Sequence, residues 1–121
     1  MAHILVIDDE APIRGNLVRF LKLEGHRTTE AADGSAGLAL ALGADAPDLI
    51  LCDVMMPGLT GFELLAALQV RPGWRRVPFV FLSASAETER LQQALQDGAT
   101  AYITKPFNLQ QLRDLLKTHL P

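Results

Sequence analysis

The chain has 121 residues, 49% of them hydrophobic and 21% charged, with a net charge of −3. At roughly 100–200 residues per domain that is one globular domain, and its apolar content excludes a chain disordered along its bulk. A pI near 5.5 without a basic run argues against direct nucleic-acid contact. Apolar stretches such as Asp48 to Val54 are far shorter than the roughly 20 residues of a membrane span, and no signal peptide opens the sequence, so a cytoplasmic location is expected.

The first candidate strand, Ile4–Ile7, runs directly into Asp8-Asp9-Glu10. A helix follows with Ile13, Leu17, Phe20 and Leu21 on one face; Pro12 suits its first turn and Gly25 its end. Arg27–Ala31 reads as the second strand, and Asp33 to Leu42 as an apolar, glycine-broken helix. The third strand, Leu49–Cys52, leads into Asp53. Thr60 and Glu63 then stand at capping-box spacing ahead of Leu64, Leu65 and Leu68. Trp74 lies in the loop Arg71 to Arg76, where it is expected to pack over the sheet edge rather than anchor a partner. The fourth strand, Phe79–Leu82, ends at Ser83, and a helix carrying Leu91, Ala94 and Leu95 stops at Gly98. Ala101–Ile103 is the fifth strand, leading to Lys105-Pro106, and Asn108 caps a last helix with Leu109, Leu112, Leu115 and Leu116.

Strand and helix alternate throughout, and several strand runs lack a polar face, as strands covered on both sides do. The spacing leaves room for right-handed crossovers. The expected fold is α/β, a doubly wound three-layer (βα)5 sandwich around a five-stranded parallel sheet, with residues 1–121 forming one domain.

Ligands in such sheets sit beyond the carboxyl ends of the strands, near the point where strand order reverses. The residues there are Asp8, Asp9, Asp53, Ser83 and Lys105. With the first and third strands as neighbours, three carboxylates crowd together and repel one another unless a cation compensates. Oxygen-only ligation favours Mg²⁺, with Mn²⁺ able to substitute; Zn²⁺ lacks its His or Cys ligands. His3, His26 and His119 are scattered, and Cys52 reads as a small hydrophobe. A metal, the Ser83 hydroxyl and the Lys105 ammonium can together grip the oxygens of a phosphoryl group while a carboxylate attacks phosphorus. Asp53, alone at its strand end, is the natural nucleophile, and its product is an aspartyl phosphate.

Four stretches carry a family resemblance that spans essentially the whole chain. They are Ile4-Leu5-Val6-Ile7-Asp8-Asp9-Glu10, Asp53-Val54-Met55-Met56-Pro57-Gly58-Leu59-Thr60-Gly61, Ser83-Ala84 and Lys105-Pro106-Phe107. In this order and at these intervals the chain resembles the receiver domains of two-component response regulators. The resemblance implies the strand order 2-1-3-4-5 and a cis bond before Pro106. It implies phosphorylation of Asp53, direct Mg²⁺ ligation by Asp9, Asp53 and the Met55 carbonyl, and a metal-bound water held by Asp8. It places Ser83 and Lys105 on the phosphoryl oxygens, makes Ser83 and Tyr102 the switch pair, and sets Met55 and Ser85 beside the path of hydrolytic water.

The implied function is that of a regulatory phosphoacceptor, not an enzyme with turnover of its own beyond phosphorylation and autodephosphorylation. A sensor histidine kinase or phosphotransfer protein is the expected donor. The face of the fourth helix, fifth strand and fifth helix is expected to control an output domain or partner protein, with room for a weak homodimer. Gln92, Gln93, Gln96, Gln110 and Gln111 keep that face polar. Simpler readings exist for single residues: Asp9 or Glu10 can complement a helix dipole, Asp53 can open a Pro-Gly turn, and Tyr102 can merely pack. A phosphatase of related chemistry commonly has a second Asp two residues after its nucleophile, where this chain has Met55. A flavin or nucleotide module needs a phosphate-cradling loop where Asp8-Asp9 stands.

Overall fold

A computed structural model describes residues 2–83 and 88–120. Strands and helices alternate along the chain: β1 (His3–Ile7), α1 (Ala11–Leu23), β2 (Arg27–Ala31), α2 (Gly34–Ala41), β3 (Leu49–Asp53), α3 (Gly61–Gln69), β4 (Phe79–Ser83), α4 (Thr88–Gln96), β5 (Ala101–Thr104) and α5 (Leu109–His119). All strand pairs are parallel, and the sheet order is β2-β1-β3-β4-β5. The order reverses between β1 and β3, which are neighbours in the sheet.

The helix ends follow from local chemistry. Thr60 and Glu63 form a reciprocal capping box at α3, and Asn108 and Gln111 form another at α5. The Asp33 carboxylate accepts from the Ala36 N–H, so this residue caps α2 rather than beginning it. Gly25, at φ +92°, takes the left-handed conformation that ends α1.

Every residue of β1, β3 and β4 is buried. Alternation sends successive side chains into two separate apolar layers. Leu5, Ile7, Ile50, Cys52, Phe79 and Phe81 join Leu64, Leu65, Leu68, Leu91 and Ala94 from α3 and α4. Ile4, Val6, Leu49, Leu51, Val80, Leu82 and Ile103 join Leu17, Val18, Phe20 and Leu21 of α1 and Leu112 and Leu116 of α5. Cys52 is indeed packed as a small apolar group, and Trp74 is half-buried against the first of these layers. The edge strand β2 is instead polar and partly exposed, which blunts it against pairing with another chain.

Four strands run one residue beyond their expected limits. His3 joins the start of β1, while Asp53, Ser83 and Thr104 are the last paired residues of β3, β4 and β5 rather than the first residues after them. Parallel pairing uses only backbone groups, so a polar side chain does not end the ladder when it has polar surroundings to point into.

Candidate functional site

The carboxyl ends of β1 and β3 bring four acidic side chains together. One oxygen from each of Asp8, Asp9, Glu10 and Asp53 lies within 4.8 Å of those of the other three. Asp8 is fully buried, and Asp53 nearly so, while Asp9 and Glu10 face solvent. Lys105, from the loop after β5, closes the cluster: its Nζ lies 3.0 Å from Asp8 Oδ2 and 3.5 Å from both Glu10 Oε1 and Asp53 Oδ2.

Asp8 is held on all sides. Its Oδ1 accepts from the Glu10 N–H at 2.9 Å, and its own N–H donates to the Ala31 carbonyl at 3.1 Å. Its carbonyl accepts from Arg14 Nη1 at 2.7 Å. Burial pushes the Asp53 carboxyl up to about 6; Lys105 pulls against this, and the Asp8 and Asp9 charges push it up further. Burial also disfavours the charge on Lys105, yet its hydrogen bond to Asp8 and the charges of Asp53, Asp8 and Glu10 leave its pKa above the ordinary lysine value.

Ser83 reaches the same rim from β4. It is buried, and its carbonyl accepts from the Lys105 N–H at 2.6 Å, so backbone pairing fixes Ser83 beside Lys105. The peptide bond between Lys105 and Pro106 is cis, as the resemblance implied. On the other side, the exposed Met55 follows β3 by two residues. Gly61 lets α3 begin directly against the end of β3, because a Cβ there would run into the Asp53 carbonyl. With oxygen donors alone and a surplus of negative charge, the cluster fits a hard divalent cation.

The family model of the response regulator receiver domain matches residues 4–117. The chain belongs to this family. As a receiver domain it is 34% identical to sporulation initiation phosphotransferase F of Bacillus subtilis, over 98% of this chain and 93% of that protein. It is 38% identical to the phosphate regulon transcriptional regulatory protein PhoB of Pseudomonas aeruginosa, over 97% of this chain but 51% of that protein. The chain thus spans nearly all of one relative and about half of the other. Among solved structures, chemotaxis protein CheY4 of Vibrio cholerae superposes with a TM-score of 0.89 at 35% identity, covering 99% of each chain. The receiver is therefore of the two-component, phosphorelay type.

The receiver's fold gathers Asp8, Asp9, Asp53 and Lys105 into one cluster and sets Ser83 at its edge. Tyr102 is not part of it. That residue pairs with Phe81 in the sheet and is half-buried against the apolar layer shared by α3 and α4. Ser85 lies outside the described residues. His3, at the opposite end of the sheet, has its Nε2 2.6 Å from Thr29 Oγ1 and its Nδ1 3.3 Å from the Ala46 carbonyl.

Two residues that sequence reasoning did not assign now stand at the site. Glu10 is the N-cap residue of α1, but its side chain makes no capping bond and faces Lys105 instead. Arg14 supports Asp8 from behind. A basic residue one turn into α1, with Glu30 near the end of β2, is a usable signal for this contact once β2 is known to flank β1.

Proposed function

We propose that Asp53 accepts a phosphoryl group from a histidine kinase or phosphotransfer protein, and that the modification controls an output domain or partner protein. The single observation that carries this reading is the convergence of the Asp8, Asp9 and Asp53 carboxylates with the Lys105 ammonium, 3.5 Å from Asp53 Oδ2. In the reaction an Asp53 oxygen attacks phosphorus, the bond from phosphorus to the donor breaks, and the donor leaves with the electron pair. Later attack by water on phosphorus returns the free carboxylate and inorganic phosphate, on a path that Met55 flanks.

Asp9, Asp53 and the Met55 carbonyl are the groups that would hold Mg²⁺ or Mn²⁺ directly, with Asp8 acting through a water. Bound there, the cation supplies the positive charge that offsets the carboxylates' repulsion of an incoming phosphoryl group. Lys105 adds a second positive charge, and the Ser83 hydroxyl donates to a phosphoryl oxygen. Drawing Ser83 toward that oxygen pulls on the end of β4 and lets Tyr102 of β5 repack, which reshapes the α4–β5–α5 face. Gln92, Gln93, Gln96, Gln110 and Gln111 are exposed on its helices, so self-association through it is weak. No helix among the described residues is long and apolar enough to cross a membrane.

Incubation with acetyl phosphate and Mg²⁺ tests the reading. Intact mass is expected to rise by one phosphoryl group in the natural chain and to stay unchanged in Asp53→Asn. Phosphorylation of the variant to the same extent would overturn the assignment.

A further inference from the structure

The acidic pair is carried by one peptide unit whose support comes from outside β1. The β1–β2 ladder ends at Ile7 and Ala31, and beyond it the Asp8 N–H still bonds the Ala31 carbonyl. The next peptide joins Asp8 to Asp9. Its plane is bounded by ψ of Asp8 and φ of Asp9, the two torsions that set how the two side chains are presented relative to one another, so holding its oxygen restrains both. The oxygen of that peptide is the Asp8 carbonyl, held by Arg14 Nη1 at 2.7 Å. The same guanidinium donates from Nε to Glu30 Oε1 at 3.1 Å, and its side chain is only 18% exposed. One fork thus ties α1 and the edge strand β2 to the plane that carries Asp8 and Asp9.

We infer that Arg14 is a positioning residue for the acidic pair: anchored on Glu30, its guanidinium fixes the peptide between Asp8 and Asp9 and so sets the affinity of the site for a divalent cation. The inference rests on the proposed reading of Asp9 as a direct cation ligand and of Asp8 as one that acts through a water. Charge alone would act in the opposite sense, because a guanidinium beside a cation site repels the cation. Glu30 neutralises that charge, leaving the directional contact as the contribution. A lysine in place of Arg14 keeps the charge but offers no planar fork to reach the carbonyl and Glu30 together.

Calorimetric titration of Mg²⁺ into the unphosphorylated chain, with thermal unfolding followed in the absence of divalent cations, tests this. Supporting groups behind metal ligands typically change affinity by about tenfold or more. Arg14→Lys and Arg14→Met are each expected to bind Mg²⁺ about tenfold more weakly than the natural chain. Glu30→Gln leaves the carbonyl contact in place and is expected to lose less. A purely structural role would lower the unfolding midpoint without moving the affinity. Natural affinity in either folded Arg14 variant, including full rescue by Arg14→Lys, overturns the inference; Arg14→Lys alone carries the test should Arg14→Met fail to fold. Absence of Mg²⁺ uptake by the natural chain would instead overturn the ligand reading beneath it.

Discussion

Asp53 is a carboxylate that folding makes harder to ionise: its pKa rises from 3.8 to about 6, chiefly through burial. The folded chain therefore binds this proton more tightly than the unfolded chain, and stability falls as pH rises from 3.8 toward 6, reaching its full loss above that value. One pKa unit corresponds to about 1.4 kcal/mol. Asp53→Asn should accordingly be about 1–3 kcal/mol more stable than the natural chain at pH 7 without divalent cations, with the difference fading toward pH 4. Denaturant unfolding in the presence of a chelator measures this, and a gap that is equal at both pH values would contradict it. Asp8, Asp9, Asp53, Ser83 and Lys105 are legible in the sequence because each follows or ends a recognisable strand. Glu10 is not, because its local setting suggests a helix-dipole role, whereas its side chain faces an ammonium 95 positions away.

At the scale of elements, the site depends on how closely α3 approaches β3. A Cβ at Gly61 would collide with the Asp53 carbonyl and lie 3.0 Å from Phe81 Cε1 and 3.2 Å from Val54 Cα. Backbone and a packed aromatic ring cannot both yield, so Gly61→Ala is expected to destabilise by about 1–3 kcal/mol, in the range of overpacked cores. Gly15, on α1, has nothing within 4 Å of the same added atom. There alanine is expected to stabilise by up to about 1 kcal/mol through helix propensity. Chemical denaturation of the two variants compares them, and a Gly61→Ala protein as stable as the natural chain would contradict the packing argument. In the sequence Gly61 is only the last residue of the stretch that begins at Asp53, because the contact that requires a glycine there is formed only when α3 closes over β3. The alternation of elements, the Thr60–Glu63 capping box and the Asn108 cap are legible because they are local. The strand ends were misjudged by a residue because Asp53, Ser83 and Thr104 look like punctuation, although their backbones remain in the ladder.

At the scale of the molecule, the reversal between β1 and β3 turns two distant segments of sequence into one acidic site. Periodicity does not encode that order; it fixes which residues are buried, not which strand lies beside which. The order came from the family resemblance, and the sheet has it. The two apolar layers pack the strands from both faces, and under the proposed function a new charge at the rim acts through the β4 and β5 ends on α4 and α5. Everything in this scheme begins with a covalent bond on a single carboxylate. Borohydride trapping of the chain after incubation with a phosphodonor and Mg²⁺, followed by peptide mass mapping, tests that bond most directly. The reduced side chain, a primary alcohol, is predicted at position 53; its absence there, or its appearance at Asp8 or Asp9 instead, would contradict the scheme.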